Sequence, residues 1–254
     1  MRKTFYLILI LLGYISNSFA LTRGDVQIIE ATENIQYLGE KITTNYFLIY
    51  QKPHDFILQN EFKENIQEIE KNINTIAQTT KNKITTQYIL KFYRHNLEEM
   101  KNLALESPNI QDAQLMLDAS ESFSQGARSI AKQHQYQSTK KNEEMLVRCK
   151  RLIYLIESTS KSYMAFQIGL QNIDYTQTIN QAIQKINKDL LYLSKYPYKY
   201  EQRAKLNQIR NIWNNNQYFF IHMNETTFPN LVLASNEYIQ ELLTYLEKHH
   251  KQNL

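Results

Sequence analysis

Apolar residues recur along almost the whole chain at intervals of three and four. Phe62, Ile66, Ile69, Ile73 and Ile76 step by 4, 3, 4 and 3, and Ile179, Ile183, Ile186, Leu190 and Leu193 repeat that rhythm. Ile35, Leu38, Ile42, Tyr46 and Ile49 do the same near the start, as do Leu206, Ile209, Trp213 and Phe220 later on. Residues three and four apart share one helix face, so each run predicts an amphipathic helix whose stripe needs partner helices. Polar breaks separate the runs at Lys52–Asp55, Thr79–Lys83, Ser107–Asn109, Gln171–Asp174, Lys195–Tyr198 and Thr226–Asn230. Asp112 suits a helix first turn, where a carboxylate complements the dipole, and Pro197 stands where a helix can restart. The pattern predicts helices over about 25–51, 55–79, 84–106, 110–136, 140–170, 174–195, 198–223 and 230–250.

The same helical unit occurs twice. Tyr37-Leu38-Gly39-Glu40-Lys41-Ile42-Thr43-Thr44-Asn45-Tyr46 returns 117 residues later as Tyr154-Leu155-Ile156-Glu157-Ser158-Thr159-Ser160-Lys161-Ser162-Tyr163. Ser107-Pro108-Asn109-Ile110 returns after 121 residues as Phe228-Pro229-Asn230-Leu231. The expected fold is therefore all-α: two tandem up-down four-helix bundles, residues 21–137 and 138–254. The polar segment His134–Lys141 has no Pro or Gly, so the fourth and fifth helices also fit one continuous rod joining the modules. One long bundle with shared helices is the alternative.

Residues 1–20 read as a bacterial signal peptide: Arg2 and Lys3, an apolar run from Phe5 to Ile15, and Ser18-Phe19-Ala20 before the cleavage point. No later stretch is apolar enough to span a membrane, so a periplasmic or secreted protein is expected. Without the leader, 27 Lys and Arg face 25 Asp and Glu, and no basic stripe suits a phosphate backbone, which argues against nucleic acid. Cys149 lies on an apolar helix face with Met145, Leu152 and Ile153 and reads as a core residue. Only four glycines and four prolines punctuate residues 21–254, which favours long helices.

The repeated segments resemble the PilJ-type sensor domain, the extracytoplasmic four-helix module of type IV pilus chemoreceptors, related to nitrate-sensor inputs. That family's first helix carries a run such as Arg-Ile-Ala-Lys-x-Tyr-Leu. Leu38, Ile42 and Tyr46 hold its apolar positions here, Lys41 stands where the family often has arginine, and Ser160-Lys161-Ser162-Tyr163-Met164 is similar to its end. Leu206, Ile209 and Trp213 follow the spacing of a later family helix. The family's leading arginine is absent from both copies, and Ser158 replaces the second one in the second copy. The resemblance implies two sensory modules, with a small anionic ligand held between helices and no transmitter domain of their own expected.

Candidate chemistry follows the repeat. Lys41 and Lys161, beside Thr43, Thr44, Ser158 and Ser160, offer cationic heads and hydroxyls suited to a carboxylate or small oxyanion. Glu40 and Glu157 are equivalent across the repeat, and placing them in separate modules keeps them from acting as an acid–base pair. Lys41, Thr44, Glu40, Ser158 and Lys161 are the candidate ligand-binding set. Tyr192, Tyr196, Tyr198 and Tyr200 cluster around Pro197 as a candidate docking tip for a partner. The histidines at 54, 95, 134, 222, 249 and 250 lack metal spacing, and His249-His250 reads as a polar tail. No nucleophile elbow or phosphate loop appears, so neither an enzyme nor a cofactor is expected. Two functions remain: an exported sensory module binding a small ligand or a membrane or envelope protein, or a structural helical adhesin, chaperone or assembly factor.

Overall fold

The structure is a computed structural model that describes residues 23–80, 83–104, 107–134, 141–170, 174–225 and 228–253. The expected leader, residues 1–20, and the continuity of a rod through residues 135–140 lie outside the described residues. Eight α-helices and no strand occur among the described residues: α1 Arg23–Gln51, α2 Phe56–Thr79, α3 Ile84–Leu103, α4 Ile110–Gln133, α5 Lys141–Gln167, α6 Tyr175–Ser194, α7 Tyr200–Ile221 and α8 Pro229–Gln252. No helix among them is long and apolar enough to cross a membrane.

Side chains at the breaks fix the helix starts. Asp55 accepts from the amides of Ile57 and Leu58, Asn109 from Asp112, and Asp174 from Gln177. Each satisfies an amide that has no partner within its own helix. Pro229 occupies the first turn of α8, where a missing N–H costs nothing. Pro197 stands in the loop ahead of α7 rather than opening it. α5 stops earlier than the polar break suggests, because Gly169 adopts φ +84°. Its amide donates to Phe166 O and that of Leu170 to Ala165 O, a paired closure that needs a left-handed residue and therefore glycine.

Each half closes a circuit of four helices. In the first, α1 packs on α2 and α4, and α3 bridges α2 and α4; in the second, α5 packs on α6 and α8, and α7 bridges them. Pairs such as Asn34–Asn72, Tyr93–Phe123 O, Arg148–Asp189 and Asn216–Asn236 show neighbouring helices running antiparallel. α1 also packs along α5. Lys150 reaches Asn34 while Lys161 reaches Glu40, so these two helices run parallel. One continuous apolar cluster runs through both halves.

The repeat offset is thus a spatial symmetry. Tyr46 and Tyr163, 117 residues apart, each accept from the amide at the start of a fourth helix, Asn109 N at 3.4 Å and Phe228 N at 3.2 Å. Tyr37 reaches across the seam to Gln240 of α8, and its equivalent Tyr154 reaches across to Ser124 of α4. Equivalent residues of the repeat thus make equivalent contacts on the two sides of the α1–α5 seam.

α1 and α5 are buried on nearly every side, Ile42–Phe47 and Thr159–Ala165 without interruption. Their hydroxyls make this possible. Thr43 donates to Gly39 O and Met116 O, Thr44 to Glu40 O, and Ser160 to Ile156 O. Short side chains that bond their own helix let neighbouring backbones approach without orphaning a polar group.

Gly126 is another close approach: a Cβ there would lie 2.5 Å from the hydroxyl of the fully buried Tyr93, which donates to Phe123 O at 2.7 Å. Alanine is the better helix former by about 1 kcal/mol, but displacing a packed ring costs about 1–3 kcal/mol. Gly126→Ala is therefore expected to destabilise the protein in denaturant unfolding, and Gly126→Ala with Tyr93→Phe to recover part of the loss.

Candidate functional site

Three of the five candidate ligand residues meet in or beside the seam. Lys161, 6 % exposed, places Nζ 2.7 Å from Glu40 Oε2 and donates to Ser120 Oγ at 2.8 Å. Glu40 is equally enclosed; burial raises its carboxyl pKa while Lys161 opposes that rise. Thr44 is buried and its hydroxyl is held by Glu40 O. These groups are occupied with one another. Glu157 is buried in the same seam and accepts from Gln240 at 2.8 Å. Glu40 feels its charge. Although Glu40 and Glu157 belong to different halves of the repeat, parallel packing of α1 on α5 brings the two equivalent carboxylates to one interface.

The other two candidates, Lys41 and Ser158, are equivalent in the repeat and line two different grooves. The first groove, about 820 Å³, lies between α1 and α8 and includes Lys41, Asn34, Tyr37, Lys150, Ile153 and Glu61. The second, about 700 Å³, lies where α1, α4, α5 and α6 meet and includes Ser158, Arg151, Tyr154, Glu33, Gln36 and Thr178. Shifting four of the first-groove residues by 117 positions gives residues of the second: Lys41 to Ser158, Asn34 to Arg151, Tyr37 to Tyr154, Glu61 to Thr178. In the reverse direction Lys150 corresponds to Glu33 and Ile153 to Gln36. The grooves share repeat-equivalent positions whose chemistry differs.

They differ in charge. Six glutamates and four lysines line the first, whereas five cations and three carboxylates line the second. In the acidic groove Lys41 pairs with Glu237 at 2.7 Å. Burial works against its charge, but Glu157, Tyr37 and Glu237 outweigh it and hold the ammonium above its usual pKa. Lys150 pairs with Glu247 at 3.0 Å and Lys251 with Glu30 at 2.8 Å.

In the cationic groove Arg148 and Arg151 both grip the buried Asp189, and Arg128 pairs with Glu121 at 3.2 Å. Lys185 and Lys188, one helical turn apart on α6, are exposed and have no ion-pair or hydrogen-bond partner among the described residues. Gln36 is 6 % exposed, lines the same groove, and has no side-chain partner among the described residues. Ser158 is half-buried beside it with its hydroxyl likewise unengaged among the described residues. Two free ammonium groups, an amide and a hydroxyl provide donors for an anion, with Arg128 and Arg151 about half exposed beside them. Periodicity did not single out Gln36, Lys185 or Lys188. Their only sequence signal is the helical spacing of Lys185 with Lys188 and of Arg148 with Arg151.

Three of the four candidate docking tyrosines make contacts within the protein. Tyr192 donates to Glu144 at 3.0 Å beneath the Arg148 guanidinium, and Tyr196 donates to Asn142. Tyr198 is buried with its hydroxyl 2.6 Å from His250 Nε2. All three fasten the α6–α7 turn to α5 and α8; only Tyr200 stands in solvent. His250, expected in a polar tail, is fully buried, and burial pushes its pKa down to about 4. Cys149 is buried, and burial pushes its thiol pKa up. Among the described residues no group of three or more His, Cys, Asp or Glu is placed to hold a metal.

No protein-family model, curated protein or solved structure matches the chain.

Breaking a buried ion pair by removing one partner costs about 3–5 kcal/mol. Lys161→Met is expected to lose about that much at pH 7 in urea unfolding, and less at pH 4, where Glu40 takes up a proton more readily. Adding Glu40→Gln should restore most of the stability. An unchanged Lys161→Met would mean that the seam does not depend on this pair.

Proposed function

We propose that the chain is an exported sensory-type binding module: two tandem up-down four-helix bundles, PilJ-like in their repeated helices, that hold a small anion in the cationic groove. The supporting observation is that Gln36, Ser158, Lys185 and Lys188 line one groove with their polar groups unengaged among the described residues. Donors presented by three helices suit a compact dianion such as a short dicarboxylate or an oxyanion. The export signal in residues 1–20 and the PilJ-type resemblance add a sensory setting to this reading.

A thermal-shift screen against sulfate, phosphate, short dicarboxylates and sugar phosphates, at constant ionic strength, tests it. A ligand present at a hundred times its Kd adds about 2.7 kcal/mol of stability, a readily visible rise in Tm. The rise should vanish in Lys185→Gln/Lys188→Gln and persist in Lys41→Gln, whose side chain lies in the other groove. A flat screen on folded protein would sink the anion reading.

One observation favours a second reading, an envelope interaction protein. Tyr218, Ile221, Phe228 and Leu231 are each more than half exposed around the α7–α8 turn. Apolar surface gathered at one end of a helical body is where a partner would dock.

A further inference from the structure

Among the described residues, Glu33 alone lines both grooves. It sits on α1, half-buried in the seam, beside Lys150 and Arg151 of α5. It is also the odd carboxylate of the cationic groove. Asp189 is gripped by two arginines and Glu121 by Arg128, whereas Glu33 has no cation within ion-pair distance among the described residues. Its nearest cations are committed elsewhere, Lys150 to Glu247 and Arg151 to Asp189. An anion entering this groove therefore meets one uncompensated negative charge next to Gln36 and Arg151.

We propose that Glu33 makes anion binding in the cationic groove proton-linked, so that the anion is taken up together with one proton on the Glu33 carboxyl. This rests on the anion-binding reading of the groove. The proton comes from solvent and forms the O–H bond of a neutral carboxylic acid; no other bond changes. Protonation removes the repulsion and turns an acceptor into a donor, which an anion can use.

The surroundings of Glu33 poise it for this. Burial raises its pKa to about 7, against the opposing pull of Lys150 and Arg151. From α4, Arg128 and Glu121 face the groove as a pair; from α6, Lys185, Lys188 and Asp189 do. On the other side α8 brings Glu247, Lys248 and Lys251, and α2 brings Glu61. The lysines on α6 attract an anion whether or not Glu33 is charged, so Glu33 modulates affinity and does not create the site. A bound dianion raises the carboxyl pKa further, so proton uptake accompanies binding near neutral pH.

The sign for stability follows from the same shift. The folded pKa lies above the unfolded value of 4.5, so Glu33 favours folding fully below pH 4.5, and that contribution is lost as pH rises from 4.5 to 7. Glu33→Gln should therefore melt above the wild type at pH 8 and match it near pH 4.

The test is calorimetric titration of the purified protein with sulfate, which stays a dianion throughout, at pH 6.5 and 8.5 in two buffers of different ionisation enthalpy. Carbon NMR of the Glu33 carboxyl is followed without ligand. The expected result is about sixfold tighter binding at pH 6.5 than at pH 8.5, corresponding to about one unit of pKa change on binding, with net proton uptake. Glu33→Gln should bind sulfate equally at both pH values and release no buffer heat. Equal pH dependence in wild type and Glu33→Gln, or a free-protein titration near pH 4.5, overturns the proton link while leaving the anion site standing. No sulfate binding at either pH overturns both.

Discussion

Glu40 and Lys161 meet where water is excluded, and charges buried there are tolerable only while they stay in contact. A slip of α5 along α1 by a single turn moves it by about 5.4 Å and strands both charges. The pair thus fixes the register of the two central helices, and register fixes the rest. Once α1 and α5 lie parallel at this offset, Tyr37 and Tyr154 must each reach the fourth helix of the other half, as they do. Lys41 must then fall opposite Glu237, and Lys251 opposite Glu30. These outer pairs are partly solvated and individually weak. They align with the central contact and do not create it.

Symmetry of backbone with asymmetry of chemistry is the second theme. The repeat preserves the residues that shape the helices: Tyr46 and Tyr163 at the loop, Thr43 and Ser160 facing the fourth helix, Tyr37 and Tyr154 across the seam. It changes those that face the grooves. Ile153 in one groove is Gln36 in the other, Glu61 is Thr178, and Asn34 is Arg151. Shape-determining positions are constrained by packing at near-crystalline density, while groove positions are free to vary. The lining therefore carries the functional difference between the halves.

The helices were legible from period and punctuation alone, because a stripe at intervals of three and four has one physical solution. Their observed limits fall within a few residues of expectation, and the misses have local causes. Gly169 ended α5 by its left-handed backbone ahead of the polar break. The repeat was legible too. Its consequence was not: Thr44, Ser160 and Lys161 looked like surface or ligand-facing groups, because sequence shows no sign that a hydroxyl will bond its own helix. Lys161 and Glu40 lie on different halves, so only tertiary packing reveals them as partners. The cationic groove draws on α1, α4, α5 and α6 together, and no local window contains Gln36 with Lys185. His250 and Tyr198 were likewise hidden, since the buried contact that joins them spans 52 residues.

The opposite charging of two symmetry-related flanks has an electrostatic consequence of its own. A duplicated protein with identical halves would carry no net dipole perpendicular to its symmetry axis. Here one flank holds an excess of carboxylates and the other an excess of ammonium and guanidinium groups. The two grooves therefore carry potentials of opposite sign, although the overall charge is small for the chain's size. An anionic surface would attract the cationic groove and repel the acidic one, which is a torque on the body. This torque acts only within a Debye length of about 8 Å at physiological salt. The same divergence that distinguished two binding grooves thereby gives the molecule a preferred facing at close range.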